Sequence, residues 1–110
     1  MDDGTAVRDD ADHHRLVIDE DGPQPLLRYL VRDGRLFIVH TEVPAEMQHR
    51  GLAGVLVQAA LAKARAEGLT VVPWCPYARS WLLEHPSEAN DLTIDWETLP
   101  PGAEAAGGSE

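Results

Sequence analysis

One stretch constrains this chain more than any other. From Glu42 the sequence leaves an apolar run and crosses a short polar turn. It then enters a long alanine-rich segment, Gln48-His-Arg-Gly-Leu-Ala-Gly-Val-Leu-Val-Gln-Ala-Ala-Leu-Ala-Lys-Ala-Arg-Ala-Glu67, closed by Gly68. Leu52, Val55, Leu56, Ala59, Ala60 and Ala64 recur at helical spacing and make a broad apolar face, with Gly54, Gln58 and Arg65 on a narrower polar side. A helix is therefore predicted over about 48–67, and its small residues let it lie close against a sheet. Gly68 supplies the left-handed stop. At the start, Gln48-x-x-Gly51-x-Ala53 places Gly51, Ala53 and Gly54 around the first turn. Side chains that small leave the unpaired backbone N–H groups open to an anion, and the helix dipole adds a favourable field for phosphate. The other reading of these six residues is a small-residue helix start packed on a sheet.

The flanking segments read as strands. Leu16-Val-Ile18, Leu26–Val31 and Leu36–Val43 are apolar runs. Turn formers separate them: Glu20-Asp-Gly-Pro-Gln-Pro25, and the hairpin signal Asp33-Gly34. Three such strands form an antiparallel meander. After the helix, Leu69–Pro73 is a short strand reached by a right-handed crossover, parallel to or splayed from the strand before. Pro73 cannot donate to a ladder and suits a place where pairing breaks. Trp74-Cys-Pro-Tyr77 leads into a second helix, which Pro76 opens and Pro86 ends. Asn90–Leu99 reads as a short helix or a closing segment through Leu92, Ile94 and Trp96. The expected architecture is one mixed α/β domain of order βββαβα over residues 14–99. Residues 1–13 are expected to be a disordered acidic tail and 100–110 a flexible one.

Charge and composition remove several function classes. The net charge is −10, of which the two predicted tails carry −6. No basic stripe offers itself to nucleic acid. No apolar run approaches the roughly 18 residues that span a bilayer, and Met1-Asp-Asp-Gly lacks the features of a signal peptide. The single cysteine, Cys75, cannot form an internal disulfide. A cytoplasmic protein is expected, with no nucleic-acid or membrane partner. His13-His14 is too short a run to argue for a metal, and none is expected.

The helix-start motif resembles the acyl-CoA-binding turn of the GCN5-related N-acetyltransferases. Val43-Pro44, Arg50-Gly-Leu-Ala53, Val72-Pro-Trp-Cys-Pro-Tyr77 and His85-Pro86 together resemble a small single-domain branch, the GNAT-like N-acetyltransferase domain-containing proteins, over about residues 14–95. The resemblance implies a minimal GNAT fold, acetyl-CoA as cofactor, and transfer of an acetyl group to an amine. Small amines, lysine side chains and peptide N-termini are all open as acceptor, and so is the oligomeric state. It further implies that Gln48, His49, Arg50, Gly51, Leu52, Ala53 and Gly54 hold the pyrophosphate. Val43, Pro73 and Cys75 would then flank the rest of the cofactor, with Arg79 either at a CoA phosphate or covering the sheet rim.

Four residues are candidates for the chemistry. His40 and Glu42 lie two apart on one strand and so share a face, where either could take a proton from an incoming ammonium. The alternative is an ordinary solvated strand end. Cys75 precedes a helix, a setting that favours thiolate, and resembling proteins place its counterpart near the thioester, where it could accept the acetyl group. A buried cysteine acting as a small hydrophobe is the other reading. Tyr77 corresponds to a tyrosine that protonates the departing thiolate in the wider family, or is a core-edge phenol. The main rival function is a CoA-binding or protein-interaction module of the same fold without turnover. A cofactor-free adaptor is a third.

Overall fold

The computed structural model describes residues 7–19, 22–48 and 51–100. A five-stranded sheet runs β1 (Val7–Asp10), β2 (Arg15–Ile18), β3 (Leu26–Arg32), β4 (Arg35–Glu42) and β5 (Thr70–Pro73), with neighbours in space also neighbours in sequence. The first four strands are antiparallel and β5 pairs parallel with β4. Helix α1 (Leu52–Glu67) makes the crossover, and α2 (Pro76–Glu84) follows β5. The predicted meander, helix, parallel strand and second helix are all present. Asp33 and Gly34 both take positive φ (54° and 75°) between β3 and β4, as a tight hairpin turn requires.

The amino-terminal expectation needs correcting. Residues 7–13 are ordered: Val7–Asp10 pairs with Arg15–Ile18, and Ala11–His13 forms a 3-10 turn closed by His14 in the left-handed region. A tetrapeptide with one apolar residue has little to bury, so charge holds it instead. Arg8 makes a two-pronged bond to Asp19 (2.9 and 3.0 Å), Asp10 meets Arg15 (3.0 Å), and Asp9 meets Lys63 of α1 (2.8 Å). The chain thus has one strand more than the sequence suggests. The carboxy-terminal tail, 101–110, lies outside the described residues, although Pro100, expected to belong to it, is described.

Helix α1 is shorter at its start than predicted, beginning at Leu52 rather than Gln48. Gly51 is its N-cap with φ 74°, and an L side chain there is strained. Its Leu52, Leu56, Val57, Ala60, Leu61 and Ala64 are buried against Leu16, Ile18, Leu27, Tyr29, Leu36, Ile38 and Val71. Full burial of each large aliphatic side chain is worth about 2 kcal/mol, which makes this layer the main source of stability. Gly54 does not belong to the polar side. It is buried, and a Cβ there would stand 2.8 Å from the Trp81 indole nitrogen, so glycine is what lets α1 and α2 pack.

The opposite sheet face is closed by Phe37 and Trp74 (ring centroids 4.7 Å apart) and by the carboxy-terminal segment. Ile94 bridges Val71, Asp95 donates its backbone N–H to Val71, and Trp74 donates its indole N–H to the Thr98 carbonyl. Trp81 is buried, whereas Trp74 and Trp96 are only half-buried and serve as covers rather than core anchors.

Candidate acyl-transfer site

The site begins with a defect in the β3–β4 ladder. Arg28 pairs with His40, but the next residue, Tyr29, pairs with Ile38. One residue of β3 is matched by two of β4, so Val39 is an extra residue, a β-bulge. The bulge reverses the alternation of β4. Ile38 is buried on the α1 face; beyond the bulge Thr41, opposite the buried Leu27, takes that face. His40 and Glu42 consequently share a face, as expected, but it is the face turned away from α1. They are exposed there, with His40 Nε2 3.4 Å from a Glu42 carboxylate oxygen.

At the same level β4 and β5 part. Their ladder ends at Ile38 and Pro73, and the Ile38 carbonyl accepts from both Trp74 N–H (3.0 Å) and Cys75 N–H (2.9 Å). Pro73 has no N–H to offer and ends β5, so β4 runs on to Glu42 without β5 beside it. Pro73 itself is fully buried. Cys75 is buried as well and heads α2, with its sulfur 3.5 Å from Thr41 Oγ1.

A cavity of about 390 Å³ opens at the end of β4, lined by Val43, Met47, Gln48, Gly51, Leu52, Ala53 and Tyr77. It brings the end of β4, the start of α1 and the first turn of α2 to one place. Gln48 fixes the turn by donating its side-chain amide to the Val43 carbonyl (3.3 Å). The helical ladder begins with Val55 N–H bonded to the Gly51 carbonyl, and no side chain caps the helix. The preceding N–H groups at the helix start therefore lack an intrahelical partner and are available to an anion. A diphosphate fits such a cradle on chemical grounds. Met47 was not foreseen: a lone buried methionine between Glu46 and Gln48 carries no periodic signal.

Among the described residues, Gly54, Pro73, Cys75 and Arg79 do not line that cavity. Gly54 is taken up by Trp81. Arg79 covers the rim, donating to the Pro73 carbonyl (3.3 Å) with its guanidinium 5.5 Å from the Trp96 ring centre. His49 and Arg50 lie outside the described residues. Tyr77 is 41% exposed. Partial burial, then the charge of Glu84 and a smaller contribution from Cys75, raise its phenol above the ordinary tyrosine value. The phenol is thus held as a proton donor at neutral pH.

A second cavity, about 520 Å³, lies across the Val43–Gln48 wall and is lined by Pro23, Gln24, Thr41, Glu42, Val43, Pro44 and Gln48. Of the foreseen proton acceptors Glu42 borders it and His40 does not. Among the described residues no group of three or more His, Cys, Asp or Glu side chains could hold a metal ion, and no helix is long and apolar enough to cross a membrane.

Comparison with known proteins agrees with this architecture. No curated protein matches the chain. Among solved structures, a solution NMR structure from Staphylococcus aureus, of a protein described as GCN5-like and a candidate N-acetyltransferase, superposes with a TM-score of 0.65. It is 22% identical, over 87% of this chain and 94% of that one, a likeness that speaks to the fold. A family model described as GCN5-related N-acetyl-transferase matches residues 15–92, from β2 to beyond α2, and the chain belongs to that family.

Proposed function

We propose that the protein is an acetyl-CoA-dependent N-acetyltransferase that passes the acetyl group directly to an amine. The observation that carries this reading is the 390 Å³ cavity, which joins an open helix N-terminus, Val43 at the end of β4, and Tyr77 of the first turn of α2. Bound acetyl-CoA supplies an activated thioester carbonyl; the chain supplies position and proton movement. The backbone N–H groups at the start of α1 hold the diphosphate, and Val43 and Met47 line the cavity beside them.

Glu42 takes one proton from the incoming ammonium, because only the neutral amine has a lone pair to attack with. The new C–N bond forms as the C–S bond breaks, and the nitrogen sheds its second proton on becoming an amide. Tyr77 gives its proton to the leaving sulfur and is recharged from solvent. One proton is released per turnover. Cys75 is buried, is absent from the walls of both cavities and has its sulfur against Thr41, which favours direct transfer over a covalent acetyl-cysteine.

The test is isothermal calorimetry with acetyl-CoA, followed by thiol-release assays over a panel of primary amines. Binding with amine-dependent release of CoA is the expected result. Tight binding without release by any amine replaces the enzyme with a CoA-binding module, and no binding removes both.

A further inference from the structure

The sheet carries a notch at the start of β2 that acetyl transfer does not use. We infer that it is a binding site for a small monocarboxylic acid with an apolar body. A cavity of about 250 Å³ lies there, lined by His13, His14, Arg28, Tyr29, Leu30 and Val39, none of which lines either cavity described above. Its volume falls below the roughly 300–1,000 Å³ of sites for drug-sized ligands, so a small molecule suits it. The β4 bulge supplies one side, since the extra residue Val39 puts an exposed valine in the same wall as the half-buried Leu30 of β3.

The charge pattern identifies the other end of the ligand. Tyr29 donates its N–H to the His14 carbonyl and Ile18 donates to Pro25, so Arg15 and Arg28 face each other between those rungs in a non-hydrogen-bonded pair. Side chains come closest in such pairs, and like charges directly opposite destabilise a sheet. On its other flank Arg28 is the cross-strand partner of His40. Both neighbours have an acid of their own: Arg15 donates to Asp10 (3.0 Å), and His40 lies 3.4 Å from Glu42. Asp10 is also bonded to the His13 ring (3.0 Å).

Among the described residues Arg28 makes no ion pair and no side-chain hydrogen bond, although it is the middle cation of the row. Its planar fork matches a carboxylate through two parallel N–H···O bonds. Beside it the cavity lining is aliphatic, aromatic and imidazole, with no acid among the described residues. One guanidinium over an apolar wall favours a single negative charge on a hydrocarbon body over a phosphate.

The probe is 4-methylpentanoate, followed through backbone amide shifts in NMR spectra of the full chain. Its amide, 4-methylpentanamide, removes the charge, and acetate removes the hydrocarbon body. Saturable shifts centred on His14, Arg28, Leu30 and Val39 are expected, with binding at least tenfold weaker for either control. Arg28 is exposed, so Arg28→Gln should fold, which the same spectra verify, and should weaken binding at least tenfold. Arg32→Gln, on the same face of β3 but outside the cavity, should change binding less than twofold. Equal binding of the amide or of acetate, an indifferent Arg28→Gln, or an equal loss in Arg32→Gln overturns the site. Acetyl-glycyl-leucine binding more than tenfold tighter than 4-methylpentanoate reassigns the cavity to a peptide C-terminus and overturns the small-acid inference.

Discussion

The Tyr29 phenol donates a 2.5 Å hydrogen bond to the carboxylate of Asp9, 20 residues earlier in the chain, and the same carboxylate accepts from Lys63 of α1 at 2.8 Å. Strand β1, core strand β3 and the central helix are thereby tied at one acid. Burial pushes the Asp9 carboxyl upward, but Lys63 and Tyr29 outweigh it and hold it below the usual range. Burial and the bond to Asp9 push Tyr29 up to about 12. A depressed carboxyl contributes stability above its unfolded value, lost as pH falls through the folded one; a raised phenol contributes below 10 and loses its effect as pH climbs toward 12. Asp9→Asn should therefore cost about 1 kcal/mol near neutrality, the modest figure suited to a partly exposed charged bond. Urea titrations should also show a shallower loss of stability below pH 4 than in the parent. An unchanged acid limb refutes this account of β1.

Gly54 and Trp81 make a second fold prediction. The Trp81 ring stacks on His85 (centroids 4.3 Å apart) and leaves no room for a methyl group at position 54. Gly54→Ala removes a flexible residue from a helix, which alone would stabilise by about 1 kcal/mol. Overpacking should win and give a net loss of about 1–2 kcal/mol. In a double-mutant cycle with Trp81→Leu the loss should vanish, because the clash has a single partner. A net gain in Gly54→Ala alone shows that Trp81 moves freely.

These cases show where the sequence was readable. The hairpin at Asp33-Gly34, the parallel strand entered at Gly68 and the two helices follow from local signals, and the structure has them. Strand β1 does not, because its support comes from charges at Asp19 and Lys63 that sequence distance hides. The Val39 bulge was equally hidden: a register slip of one residue leaves no mark in composition, yet it decides which face Thr41, His40 and Glu42 occupy. For Gly54 the spacing was right and the reason wrong, since helix packing rather than an open anion site demands glycine there. The candidate cavity was legible at Val43, Gln48, Gly51, Leu52, Ala53 and Tyr77. Gln24 and Pro23 reach the second cavity only through folding.

The helix start can be tested without straining the backbone. Gly51 has positive φ, so any replacement there mixes strain of about 1 kcal/mol with its effect on binding. Ala53 has ordinary helical geometry in the first turn, where an acid is favoured by the helix dipole. Ala53→Glu should keep or slightly raise the melting temperature while weakening acetyl-CoA binding at least a hundredfold by calorimetry. Undiminished binding would move the diphosphate elsewhere.

Tyr77 offers a kinetic test. Its side chain is exposed enough that Tyr77→Phe should fold normally, while the proton for the leaving sulfur is lost. General acid catalysis contributes about 10²–10⁴-fold, so kcat should fall about a hundredfold with the KM for acetyl-CoA within threefold. Because the phenol is raised, the alkaline limb of the parent pH–rate profile that reports it should lie above the ordinary tyrosine value, and it should be missing from the variant. A kcat within threefold of the parent assigns Tyr77 to the cavity wall alone.

Cys75 provides the sharpest division between routes. A nucleophile must meet the thioester carbon, yet Cys75 is 4% exposed and its sulfur stands against Thr41. Cys75→Ala removes one buried heavy atom, and a loss of about 1 kcal/mol is expected from the small cavity left behind. Activity per folded molecule should stay within threefold, and mass spectrometry of the parent quenched during turnover should show no acetyl group on Cys75. If instead Cys75→Ala is folded but inactive, and the parent carries an acetyl adduct that amine discharges, α2 must shift to expose the sulfur and transfer proceeds in two steps.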